Sequence, residues 1–143
     1  QKDKHSASLQ RIQIIKGSIT NSGARPSEKV FDVVCSDGLK VDPTTHRCPD
    51  NGARVNIEDC SITNNVGATE LKATWRDPDF NPKDKAFYYV RVLENPTCRW
   101  STWDALNAGI KPRSDLHKTI QERAWSSPIW YIPVPEDIDI FAL

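Results

Sequence analysis

Hydrophobic and polar positions alternate through Arg11-Ile12-Gln13-Ile14-Ile15-Lys16, with Ile12 and Ile14 set against Arg11 and Gln13. A period of two predicts a strand. Asn21-Ser22-Gly23 carries turn chemistry. The run Lys29-Val30-Phe31-Asp32-Val33-Val34-Cys35 is β-branched and aromatic, with Phe31, Val33 and Cys35 on one face. Together the two runs predict a hairpin whose loop lies around residues 20–27. Before them, residues 1–8 are polar and small and read as a disordered lead-in or cut linker.

Ser36-Asp37-Gly38 ends the second strand, and a long polar loop carrying Cys48 runs to about residue 56. Short extended pieces are expected near 55–57 and 60–63. Glu70-Leu71-Lys72-Ala73-Thr74-Trp75-Arg76 alternates and predicts a half-buried antiparallel strand with Leu71, Ala73 and Trp75 inward. Ala86-Phe87-Tyr88-Tyr89-Val90-Arg91-Val92-Leu93 is apolar on both parities and belongs in the middle of a sheet. Ser101-Thr102-Trp103-Asp104 resembles a capping box with Asp in place of Glu, and Gly109 suits a stop, so a short helix is predicted over 102–108. Residues 115–125 fit helical and strand periods alike. Ser126-Ser127-Pro128 interrupts, Ile129-Trp130-Tyr131-Ile132 reads as a last strand, and Pro133 and Pro135 end regular structure. No repeat of 20–50 residues is visible. The pattern predicts a mainly β chain, an antiparallel β-sandwich-like domain with one or two short helices. It divides into a lead-in 1–8, a single β-rich module 9–135 and a loosely attached tail 136–143.

Composition narrows the class. The 143 residues allow one core, and 19 basic residues against 19 acidic ones argue against nucleic-acid binding and membrane-surface attachment. The longest wholly apolar run, Ala86-Phe87-Tyr88-Tyr89-Val90, cannot span a bilayer. The chain has no signal-like start, as expected of a cytosolic chain, a processed one or a fragment, and its lack of Met favours a processed protein or an excised domain. Cys35, Cys48, Cys60 and Cys98 make an even set in a loop-rich chain, expected to form two disulfides in an oxidising compartment. Cys48–Cys60 would close the long loop locally, leaving Cys35–Cys98 to join two strand ends. A zinc site of Cys35, His46, Cys48 and Cys60 offers only one close pair, and free buried thiols remain a further alternative.

Catalytic signatures are lacking: there is no Gly-x-Ser-x-Gly, no phosphate-cradling glycine loop and no His-Glu-x-x-His. His5, His46 and His117 share no spacing. Asp77, Asp79, Asn81 and Asp84 are calcium-ligand candidates by their alternating oxygens. Against that reading, Pro78 and Pro82 stiffen the segment and no closing Glu follows, so a solvated turn competes. Arg99, Ser101 and Thr102 combine a guanidinium, two hydroxyls and a helix start, which suits an anion. A structural account instead makes Ser101 a cap, packs Trp100 and Trp103, and pairs Arg99 with Glu122. The segment from Gln121 to Tyr131 is the second dense one, with Arg123, Trp125 and Trp130 as candidates for substrate contact or interface packing.

Longer strings carry a family resemblance. Arg11-Ile12-Gln13-Ile14-Ile15-Lys16-Gly17, Trp75-Arg76-Asp77-Pro78-Asp79-Phe80, the whole stretch from Ala86 to Ala105, and Gln121-Glu122-Arg123-Ala124-Trp125-Ser126-Ser127-Pro128-Ile129-Trp130-Tyr131 resemble the C-terminal part of a bacterial family known as domain of unknown function 3604. The resemblance spans about residues 9–133. It implies large exported proteins, periplasmic or secreted, whose N-terminal region is similar to the polymerase-and-histidinol-phosphatase class of metal-dependent hydrolases. On that resemblance the metal-binding histidines, and a divalent metal, belong to an N-terminal part that this chain lacks. The chain itself would hold no cofactor and no catalytic residue, and would pack on that N-terminal part and lend Arg99 or Arg123 to its substrate site. The resemblance also implies that many relatives carry Pro where this chain has Cys98, which fits added disulfides better than metal ligands. A stand-alone carbohydrate- or protein-binding sandwich, suggested by the five Trp residues, is the alternative.

Overall fold

The alternating run at the start of the chain becomes β1 (Leu9–Ile19), which pairs antiparallel with β2 (Ser27–Cys35). The expected hairpin forms, although the computed structural model describes residues 1–19 and 25–134, so Asn21-Ser22-Gly23 and the tail 136–143 lie outside the described residues. β3 (Lys85–Glu94) pairs along the other side of β1 from Leu9 to Ile19. Its interior position matches its lack of a polar face. β6 (Arg123–Trp125) and β7 (Ile129–Tyr131) both pair antiparallel with β3 and share its outer edge. A separate ribbon joins β4 (Thr97–Cys98) to β5 (Thr119–Ile120), and α1 (Trp100–Asn107) lies between them in sequence. The chain is mainly β and antiparallel, with one short helix among the described residues. The ambiguous stretch 115–125 contributes strands.

Two irregularities set which side chains share a face. Ile12 stands opposite Val34 but Gln13 opposite Asp32, so Val33 is an extra residue in β2. Such a bulge reverses the parity of the strand beyond it. Phe31 therefore lies opposite Ile14 while Cys35 lies opposite Arg11, and the expected shared face of Phe31, Val33 and Cys35 does not form. At the other edge, Trp125 is opposite Arg91 and Ile129 opposite Tyr88, so residues 126–128 stand against only Tyr89 and Val90. Ser126 bridges the break: its N–H donates to the Val90 carbonyl at 3.0 Å, and its hydroxyl accepts the Val90 N–H at 2.9 Å.

One face of the sheet is covered by coil. Trp75 packs on Phe31 and Tyr88, with ring centroids 5.2 and 6.4 Å apart, and Phe80 meets Tyr131 at 5.0 Å. Residues 70–76 thus lie against the sheet but join no ladder, contrary to the expected strand, and Ala73 is exposed. The alternation there records side chains reaching a surface, not backbone pairing. Beneath this cover Lys16 and Asp77 form a buried ion pair of 2.6 Å. The short extended pieces appear as a single bridge between Val55 and Ile62. Residues 1–8 are tied down by Lys2 N–H to the Thr69 carbonyl and Asn95 N–H to the Ser8 carbonyl, and Ala7 is buried.

Both expected disulfides form, but in another pairing. Cys35 bonds Cys48, and Cys60 bonds Cys98, with Cα separations of 5.7 and 5.6 Å, and no cysteine is free. The Cys48–Cys60 and Cys35–Cys98 pairing is therefore wrong, and all four sulfurs are withdrawn from any zinc site. The reason is the path of the 42–48 loop. It runs along the free edge of β2, where the Asp32 N–H donates to the His46 carbonyl at 2.9 Å, and so brings Cys48 back to the end of its own strand. The helix also begins earlier than the capping pattern predicts. Arg99 occupies the N-cap without a side-chain cap bond, and Ser101 lies within the first turn.

Candidate functional site

The face opposite Trp75 is built in rows across four strands. One row runs Cys35, Arg11, Leu93, Arg123, and the next runs Asp32, Gln13, Arg91, Trp125. Side chains at i and i+2 of a strand share a face, so Arg11 and Gln13, Arg91 and Leu93, and Arg123 and Trp125 all look the same way. The Val33 bulge brings Asp32 into this set. Further along the same face, Tyr89 and Phe87 stack at 6.4 Å, and Phe87 meets Trp130 at 5.3 Å. Trp125 and Trp130 have opposite sequence parity. The extra residue in 126–128 is what places them together.

Asp32 is the anchor of the polar end. Its side chain is 2% exposed. Gln13 Nε2 donates to Asp32 Oδ1 at 2.5 Å, and the Cys48 N–H donates to Oδ2 at 2.7 Å. Arg91 Nε in turn donates to Gln13 Oε1 at 2.7 Å, which fixes the orientation of that amide. Arg11 Nε and Arg47 each stand 3.6 Å from a carboxylate oxygen of Asp32, attractive in charge but too long for a hydrogen bond. Arg11 Nε is buried with no hydrogen-bond partner. Burial pulls the Arg11 guanidinium below its ordinary value; Asp32 opposes this, and Arg47, Arg91 and Arg123 lower it further. Two guanidinium groups, Arg11 and Arg47, therefore face one buried carboxylate, and Arg91 reaches it through Gln13. Beside them lies a part-buried amide network: Asn51 Nδ2 donates to Asn95 Oδ1 at 2.9 Å, Gln10 Nε2 to Asn51 Oδ1 at 3.1 Å, and Gln121 Nε2 to Gln10 Oε1 at 2.9 Å. Satisfied networks of this kind hold strand ends in one arrangement.

The candidates from sequence fall into separate places. Arg123 and Trp125 belong to the guanidinium rows, with Trp125 59% exposed. Trp130, 68% exposed, borders an apolar cavity of about 610 Å³ that Gly17, Ile19, Phe87 and Ile132 also line. Arg99 lies at the start of α1, off the sheet. Its Nε is buried without a hydrogen-bond partner, and it forms no ion pair with Glu122. Thr102 is 1% exposed and its hydroxyl donates to the Lys118 carbonyl at 2.8 Å, so it holds α1 to the ribbon. Ser101 and Trp100 line a cleft of about 360 Å³ beside Lys111 and Lys118, and Trp103 is exposed. No hydrogen bond or ion pair among the described residues joins this cluster to Arg123.

The oxygen-rich turn is occupied by the protein's own cations: Asp77 pairs with Lys16, and Asp79 with Lys29 at 2.7 Å. Asn81 Oδ1 accepts the Lys83 N–H at 3.1 Å, and the Asp84 N–H returns to the Asn81 carbonyl. Among the described residues no group of three or more His, Cys, Asp or Glu side chains is placed to hold a metal.

Arg11, Gln13, Asp32, Arg47 and Arg91 escaped the reading of the sequence. One signal was present. Arg91 is the only charge within the apolar run from Ala86 to Leu93, and a charge in a covered strand requires a partner.

The model of a protein family described as "Protein of unknown function (DUF3604)" matches residues 1–133. No curated protein and no solved structure matches the chain significantly.

Proposed function

The chain belongs to the DUF3604 family, and from that premise we propose that it is the C-terminal β-rich module of a longer, exported, hydrolase-like protein. In this reading the module packs on the N-terminal part of its parent and presents guanidinium groups at the border of that part's substrate site. The observation that carries the proposal is the face bearing Arg11, Arg91 and Arg123 beside Trp125 and Trp130. It combines an excess of cationic donors with large exposed aromatic rings, the residues most enriched at interfaces and at recognition sites for anions. Arg123 is the better placed of the two arginines singled out from sequence, because it belongs to these rows and Arg99 does not. Two disulfides suit a periplasmic or secreted setting.

The test is reconstitution. The 143-residue chain and the upstream part of its parent are expressed separately and mixed. Association by calorimetry is expected, weakened in the Trp130→Ala chain, with no hydrolysis of phosphate esters by the chain alone. Hydrolysis by the isolated chain at the rate of the intact parent, or no association at all, refutes the proposal.

A further inference from the structure

The guanidinium groups are only partly matched by protein partners, Arg11 by Asp32 and the Gln10 side-chain oxygen, Arg47 by Asp32 and Arg91 by Gln13. Arg123 makes no side-chain hydrogen bond or ion pair with any described residue. Arg91 uses only its Nε, on Gln13, leaving both terminal nitrogens for another acceptor. Arg47, half-exposed, and Arg11 share the single carboxylate of Asp32. A cluster of like charges at the end of a sheet costs stability unless an anion neutralises it. Arg123 borders a cleft that Asp3, Glu94 and Glu122 also line, yet it forms an ion pair with none of them. Trp125 stands directly opposite Arg91 in the register and two residues from Arg123 on the same strand face, and it is 59% exposed. An exposed indole flanked by the unpartnered Arg123 guanidinium and the terminal nitrogens of Arg91 offers a flat apolar surface and oxyanion donors side by side.

We propose that Arg91, Arg123 and Trp125 form a binding site for an acidic saccharide, the sugar ring lying on the indole and its carboxylate or sulfate held by the two guanidinium groups. Arg11 and Arg47 supply the surrounding positive field, and Asp32 with Gln13 keeps Arg91 extended toward the ligand. The planar fork of arginine matches either oxyanion with paired N–H donors, which the point charge of a lysine does not. That this saccharide is the substrate of the parent protein rests on the function proposed above. Binding to the chain itself does not.

Calorimetry on the 143-residue chain separates the possibilities. The probes are an oligogalacturonate, a sulfated chondroitin oligosaccharide and a neutral cello-oligosaccharide of the same length. Saturable binding of at least one acidic probe is expected, with the neutral one about tenfold weaker or more, the scale of one lost charge-assisted contact. Preference between the two acidic probes identifies the oxyanion. Arg123→Gln, which breaks no internal bond, should weaken the acidic probe by about tenfold, and Trp125→Ala should weaken it as well. Arg113→Gln, on a distant exposed ion pair, should leave it unchanged. Thermal melts of each variant establish that the fold is intact, and Arg91→Lys, which keeps the charge but loses the fork, provides a second reading. Equal binding of neutral and acidic probes, equal loss in Arg113→Gln and Arg123→Gln, or no binding of either acidic probe overturns the proposal. Acidic-saccharide binding without association to the upstream part would keep this site and refute the docking.

Discussion

Replacing Asp77 by Ala should be among the most damaging single changes in this chain, although Asp77 belongs to no strand. Its carboxylate meets Lys16 Nζ at 2.6 Å, with the two side chains 7% and 8% exposed, and it also accepts the Tyr88 hydroxyl at 2.7 Å and the Asp79 N–H at 2.9 Å. Lys16 Nζ donates in addition to the Asp79 carbonyl at 2.8 Å. Removing the carboxylate strands a buried ammonium, a loss of about 3–5 kcal/mol. That is a large share of the roughly 5–15 kcal/mol available to a domain. Tyr88→Phe removes one hydrogen bond and should cost about 1 kcal/mol. Lys29→Ala breaks a pair to Asp79 in which both side chains are about half exposed, and should cost about 1 kcal/mol or less. The combined Lys16→Met, Asp77→Leu chain should lose less than Asp77→Ala alone, because no unpaired charge remains. Urea unfolding of the four variants gives the ranking. Acid adds an independent check. Burial alone would raise the Asp77 carboxyl, but hydrogen bonds from Lys16, Tyr88 and the Asp79 N–H outweigh it and hold it below the ordinary carboxylate value. A depressed folded pKa contributes stability above the unfolded value and loses it as pH falls through the folded one. The gap between the native chain and Asp77→Asn should therefore be full at neutral pH and close below about pH 4. An Asp77→Ala loss no larger than that of Lys29→Ala would refute the reasoning.

The two disulfides should differ in weight. Their sequence separations of 13 and 38 residues correspond to loop-closure contributions of about 3 and about 4 kcal/mol. Replacing Cys60 and Cys98 with Ser should then lower the urea midpoint more than replacing Cys35 and Cys48, and the reverse order would show that native contacts outweigh chain entropy. Gly67→Ala should destabilise by about 1–3 kcal/mol. Gly67 holds φ at +93° and an added Cβ would fall 2.5 Å from Ser8 Cβ and 2.6 Å from Asn95 Nδ2; an unchanged melting temperature would contradict that contact.

Sequence pattern was sufficient where each strand had a single environment. Ile12 and Ile14 alternate with polar neighbours and do line one face, and the apolar run around Tyr89 is interior because β3 is paired on both edges. It was insufficient where one residue changes the parity. Nothing in Asp32-Val33-Val34 announces an extra residue, yet that residue separates Phe31 from Cys35 and delivers Asp32 to Gln13. The same holds for 126–128. Arg11 and Gln13 looked like an ordinary wet face because register, which sequence does not contain, is what aligns them with Arg91 and Arg123. The cysteine pairing depended likewise on a loop bonded to an edge through backbone atoms, which leaves no mark on side-chain chemistry. In 70–76 the alternation was real, but packing alone produced it.

The order of the bridges along the chain has a consequence for cleavage. Cys35–Cys48 closes before Cys60–Cys98 opens, so the two loops neither nest nor interleave. A single cut within residues 36–47 or 61–97 leaves the fragments covalently tied. A single cut within 49–59, where Arg54 is exposed, leaves no covalent bond across the break. The peptide backbone of that short connector is the sole covalent link between the hairpin half of the molecule and the half carrying β3 and the helix. A protease acting there would leave two polypeptides held together only by the β1–β3 ladder and side-chain packing, separable by denaturant without any reductant, each retaining one intact bridge.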